Sequence, residues 1–157
     1  MSMDFQFYNC REIRKILVNF LETISRDHLL AIPEHFNNNI WWNIAHVAVT
    51  HQLLVYKLSG LAVNLPDEII AKYSKGTHPG DKPSDEEFEL IKNALVQLVD
   101  KAEEDYKKGI FENYHPYTTS ANVTIESVED AITFNNFHEG IHIGSILALR
   151  RALKIAS

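Results

Sequence analysis

The sequence predicts an all-α fold, a four-helix bundle with long crossover connections, and three observations carry that expectation. Four long segments repeat apolar residues at three-and-four spacing, no alternating stretch of strand length appears, and Pro, Gly and Asn punctuate the gaps. A length of 157 residues suits one domain, taken as 1–157, which buries roughly two thirds of its unfolded surface.

The first helix is expected from about Phe5 to Ser25, where Ile13, Ile16, Leu17, Phe20, Leu21 and Ile24 form one apolar stripe. Pro33 and the run Asn37-Asn38-Asn39 break the pattern, and an Asn there can cap the next segment. That second helix spans roughly Ile40 to Ser59 and closes at Gly60, a residue suited to a left-handed C-terminal cap. Between Leu61 and Pro83, three prolines and two glycines imply a long connection, with one short helix over Asp67 to Tyr73. Ser84-Asp85-Glu86-Glu87 reads as a capping box, Ser84 as N-cap and Glu87 reaching back. The third helix then runs through Phe88, Ile91, Leu95, Leu98 and Val99 to Gly109. A second connection covers Ile110 to Asn122, and the last helix starts near Thr124 or Ser127 and continues to about Leu153. Two long connections among four long helices imply crossovers rather than an up-and-down meander.

Composition narrows the function classes. A hydrophobic fraction of 45% with 23% charged residues is that of a globular chain, and its apolar runs are too short to span a bilayer, so no membrane partner is expected. The opening MSMDFQFYNCREIRK lacks a basic stretch followed by an apolar core, so a cytoplasmic location is the expectation. A net charge of −6 with no large Lys/Arg cluster argues against nucleic-acid binding; Arg150-Arg151 is no more than a pair. With Cys10 as the one cysteine, neither an intramolecular disulfide nor a thiolate cluster can form, so nitrogen and oxygen would have to hold any metal.

Histidine is in excess, with eight residues. His138-Glu139-Gly140-Ile141-His142 lies inside the last helix, where a spacing of four sets the two imidazoles about 40° apart on one face. That face also holds Ala131, Phe134, Ile141, Ser145 and Leu149, so both rings are expected to point into the bundle. A buried, unpaired polar ring is costly, and either hydrogen bonds or a metal must satisfy it. Core histidines satisfied by carbonyls or carboxylates are the plainer alternative.

The five residues also match HExxH, the zincin pattern with Glu as general base. A zincin draws its third ligand from downstream, yet residues 143–157 contain no His, Asp, Glu or Cys, so that reading fails. A third ligand must come from upstream: His46, His51, His28, His35, His78 or His115. His46 shares its sector with Trp42, Val49 and Leu53, and with Asn43 and Thr50, which can orient its second nitrogen. His51 lies about 140° round the same helix in an equally apolar sector, and periodicity does not choose between the two. The other four fall in connections or near a helix end, where exposure is the usual explanation. Glu139 can be a general base, a partner of an imidazole, or a surface carboxylate near Arg150, the last two being preferred. Trp41, Trp42 and Tyr56 suit core packing before cavity lining. Gly140 and Gly144 would let another helix approach closely, inside the bundle or across a dimer.

Two motifs together carry a resemblance. Asn39-Ile40-x-Trp42-x-Ile44-x-His46, with Phe137-His138-Glu139-Gly140-x-His142-x-Gly144-x-Ile146, resembles the DinB/YfiT-like superfamily of metalloenzymes over nearly the whole chain. The resemblance implies a bundle with a right-handed crossover arrangement, a site for one divalent metal ion such as zinc or nickel, and a homodimer. It also implies His46, rather than His51, as third ligand beside His138 and His142. Characterised members of that superfamily include S-transferases that use a low-molecular-weight thiol such as bacillithiol or mycothiol. Three neutral ligands leave an ion its full charge and an open position, which acidifies a bound water or thiol. The expectation is therefore a metal-dependent enzyme acting on a small-molecule substrate, as hydrolase or thiol S-transferase. The alternative is a non-catalytic metal-binding or structural bundle, favoured by a sealed site with four protein ligands.

Overall fold

Each long helix begins where a short polar side chain accepts a hydrogen bond from an early amide of the helix it precedes. Ser2 accepts from Phe5, Asn39 from Trp42, Ser84 from Glu87 and Ser127 from Asp130, the N-caps of the four long helices in this computed structural model. The structure describes residues 2–155, so Met1, Ala156 and Ser157, which the expected bounds 1–157 include, lie outside the described residues.

In chain order the elements are α1 (Met3–Thr23), α2 (Arg26–Leu30), α3 (Ile40–Gln52), α4 (Asp67–Tyr73), α5 (Asp85–Lys107), β1 (Tyr117–Thr118), β2 (Thr124–Ile125) and α6 (Val128–Ala152). The chain is thus mainly helical, with two short helices added to the four long ones. The first helix ends two residues earlier than expected because Ile24 is extended and Ser25 caps α2. The second also ends two residues earlier than expected, and its last turn, Leu53–Lys57, is π-helical, with the Leu58 amide reaching back to the Leu53 carbonyl. Gly60 and Gly109 close their helices at φ +73° and +71°, as a left-handed cap requires. The capping box is half formed: Ser84 accepts from the Glu87 amide, while the Glu87 carboxylate turns to Lys72 and Tyr73. β1 and β2 form a two-residue antiparallel ribbon, too short to leave an alternating pattern in sequence.

α1 packs against α5 and α6, and α3 packs against α6 and α5. The successive long helices α1 and α3, and likewise α5 and α6, therefore face each other across the bundle. The links over 24–39 and 108–127 are the crossovers; the link over 58–84, expected to be one, joins the neighbours α3 and α5. Leu17, Leu21, Ile40, Ile44, Ile91, Leu95, Ile146 and Leu149 fill the centre. α1 is rotated from the expected stripe: Ile16 is exposed, and Cys10 and Arg14 are buried in line with Leu17 and Leu21. Gly140 and Gly144 lie on the exposed side of α6, so their smallness serves no packing within the bundle. Among the described residues no helix is long and apolar enough to cross a membrane.

Candidate metal centre

The contact between α3 and α6 brings three imidazoles together. His46, in the middle of α3, meets His138 and His142, one turn apart on α6, with ring centroids 4.5 to 5.3 Å apart. One ring nitrogen from each lies within 4.8 Å of the other two, and the trio can hold a metal ion. His51 stays out of this group. It is buried further along α3, where its Nδ1 accepts from the Gln52 amide. His28, His35, His78 and His115 are all exposed and take no part.

The outer nitrogens of two rings are fixed by groups that can only accept. His46 Nδ1 is 2.7 Å from the carbonyl oxygen of Tyr73, the last residue of α4, where a helix leaves its carbonyls without internal partners. His142 Nδ1 is 2.8 Å from Asn43 Oδ1. The orientation of that amide is set in turn, because Asn43 Nδ2 donates to the Asn39 carbonyl at 2.8 Å and to Asn38 at 3.1 Å. Both Nδ1 atoms therefore carry the proton, and both Nε2 atoms present lone pairs to the inside. His142 Nε2 lies 3.1 Å from His138 Nε2, near the separation of about 3.3 Å expected of two nitrogens on one tetrahedral zinc.

α4 is itself held in place. The Tyr73 hydroxyl accepts from Trp41 Nε1 at 2.7 Å and donates to Glu87, whose carboxylate also binds Lys72. Trp42 stacks on the His46 ring at 4.7 Å, and its Nε1 donates to Thr77. Trp41, Trp42 and Tyr56 are core residues, as expected. The polar neighbours of His46 act differently from the expectation. Asn43 orients His142 across the helix contact instead of His46, and Thr50 Oγ1 lies 3.2 Å from the inner nitrogen of His46.

Burial keeps the rings uncharged. It lowers the His46 pKa, and it lowers that of His138 to about 3 and of His142 to about 4, with the neighbouring imidazoles adding to the effect. Neutral rings with converging lone pairs suit a divalent cation. His138 supplies a further test of fit: its Nδ1 is buried with no partner among the described residues, and so is Oδ1 of Asn135 one turn earlier. A ligating His138 would carry its proton on Nδ1 and coordinate through Nε2, the atom that faces His142 Nε2.

Glu139 stands elsewhere. It is neither a surface carboxylate nor bonded to an imidazole: it is fully buried, forming two bonds with Arg14 at 2.7 and 2.9 Å and accepting from Asn135 at 2.6 Å. The Cys10 thiol, pushed upward in pKa by burial and then by Glu139, donates to the same carboxylate. The preferred readings of Glu139 are corrected accordingly. One residue on from His138 the side chain turns about 100° round the helix, toward α1. This ion pair was missed in the sequence, although the spacing Cys10, Arg14, Leu17, Leu21 places an arginine on the core stripe.

A cavity of about 320 Å³ reaches His46 and His138 from outside. Leu53, Leu54, Leu58 and Phe134 form its apolar wall, Phe137 and Ile141 its half-open edge, and Thr50 faces it. Lys75 comes from the connection after α4, and Tyr117, Thr119, Ser120 and Ala121 from the ribbon before α6, so both long connections contribute walls.

A family model described as DinB superfamily matches residues 10–146, and the chain belongs to that superfamily. No curated protein matches it.

Proposed function

From membership of that superfamily and the geometry of the three imidazoles, we propose that this protein is a metal-dependent enzyme acting on a small molecule. His46, His138 and His142 hold one divalent ion, zinc or nickel, and the reaction is hydrolysis or transfer of a low-molecular-weight thiol. The observation that carries the reading is the convergence of three neutral imidazoles, two of which, His46 and His138, line an open cavity. Nothing in the set supplies negative charge, so the ion keeps its full Lewis acidity toward a water or thiol.

The chain's own residues have distinct duties. The Tyr73 carbonyl and the Asn43 amide hold two rings in the ligating tautomer. The Thr50 hydroxyl, beside His46 and facing the cavity, is placed to contact a reactant. The apolar wall excludes water from the rest of the substrate. An open approach to the imidazoles supports catalysis over a purely structural site, which would be closed by a fourth protein ligand.

The test is metal content. The untagged protein is expected to bind about one zinc or nickel per chain, as three histidine ligands with one open position would. His138→Ala is expected to lose the ion while keeping the helical circular dichroism of the parent. Equal stoichiometry in the two proteins would refute the assignment.

A further inference from the structure

We propose that the cavity takes an anionic ligand, a small molecule with an apolar body and a carboxylate or phosphonate group that Lys57 and Lys75 receive. This deepens the metal-site reading, on which it rests, by naming the charge and polarity of the substrate.

Three observations converge. First, among the described residues no Asp or Glu lines the cavity, in a chain whose net charge is −6. Second, two lysines line it, Lys57 from the π-helical turn that ends the second long helix and Lys75 from the connection after α4. Neither forms an ion pair among the described residues, whereas Lys15, Lys72, Lys92, Lys101, Lys107 and Lys108 all do. Of the four lysines without an ion pair among the described residues, Lys57, Lys75, Lys82 and Lys154, two face this apolar cavity and leave positive charge there. Third, the imidazoles of His46 and His138 line the same cavity; an imidazole brings no negative charge, and an ion held there would add two positive ones.

Lysines and metal-binding imidazoles therefore give the cavity one sign of charge. Anions are drawn in, and cations are disfavoured along the whole path. The rest of the lining is different in kind: Leu53, Leu54, Leu58 and Phe134 offer hydrocarbon, and burying an apolar body against it supplies most of the affinity. A volume of about 320 Å³ is at the small end for ligand sites, which fits a metabolite and not a polymer.

Calorimetry on the zinc-loaded protein tests this with four probes of one chain length: hexanoate, hexylphosphonate, 1-hexanol and hexylammonium. Hexanoate or hexylphosphonate is expected to bind more tightly than 1-hexanol, and hexylammonium least; the ranking of the two anions tells which headgroup the lysines prefer. Lys57→Met with Lys75→Met, which keeps most of each stem, is expected to weaken the better anion roughly tenfold, as two partly exposed ion pairs would. It should leave 1-hexanol unchanged, and the double arginine variant should restore the anion. Both lysines are exposed, so folding is expected to survive, and circular dichroism of each variant checks that. An anion affinity unaltered in the methionine variant, or hexylammonium binding as tightly as hexanoate, overturns the proposal. Lysine-dependent anion binding by a protein that takes up no zinc would keep the anion site and sink the metal reading instead.

Discussion

A single amide carries much of the order at the imidazole cluster. Asn43 donates to the Asn39 carbonyl and accepts from His142, so its position on α3 determines which nitrogen of a ring on α6 bears the proton. Asn43→Ala removes that acceptor and leaves His142 free to rotate or change tautomer. Affinity for zinc is then expected to fall about 10- to 100-fold, the usual effect of losing an orienting partner. Competition against a chelating dye measures it, and an unchanged constant would show that Asn43 does not orient the ring. At this scale the sequence was partly legible. His138 and His142 could be paired from their spacing, and Asn43 and Thr50 stood out as small polar residues in an apolar sector. Which ring Asn43 serves could not be read, because the bond crosses between helices whose relative rotation periodicity does not encode. The Tyr73 carbonyl was invisible for a simpler reason: every residue has one.

Between elements, the Arg14–Glu139 pair joins α1 to α6 beneath the imidazoles. Both side chains are fully buried, and the carboxylate is further bonded by Asn135 and Cys10. Such a pair gains little over a hydrocarbon contact, yet breaking it strands a charge without water. Glu139→Gln leaves the guanidinium uncompensated and is expected to cost about 3–5 kcal/mol. That corresponds to a midpoint lowered by roughly 10 °C in a chain of this size. Combining Arg14→Met with Glu139→Leu removes both charges and should recover most of the loss. Thermal denaturation of the single and double variants decides it; additive losses would mean that the two charges act independently. The capping serines and the glycines that end α3 and α5 were readable because each local geometry needs a particular residue type. The rotation of α1 was misread because Ile13 and Ile16 outvoted an arginine that hydrophobicity alone sends to the surface.

For the molecule as a whole, connectivity was the least legible property. Long links were visible from their prolines and glycines, but which of them cross the bundle depends on which helices become neighbours, a matter of packing that apolar spacing leaves open. The same packing has a global consequence for pH. His51 and His138 are pushed down to about 3 and His142 to about 4, and His46 is also lowered, in every case first by burial. In the unfolded chain the same rings titrate near 6.5. Below that pH the unfolded state binds protons that the folded state refuses, so stability decreases as pH falls. The loss begins near 6.5 and continues toward the folded values of about 3 to 4. Each ring contributes on the order of 1 kcal/mol per pH unit within that window. Urea midpoints are therefore expected to drop from pH 7 to 6 and more steeply from 6 to 5. Zinc should oppose the drop by stabilising the deprotonated, folded form, to an extent that grows with free ion concentration. A midpoint flat between pH 7 and 5 in metal-free protein would mean that the rings take up protons without unfolding the bundle, against the uncharged cluster on which metal binding depends.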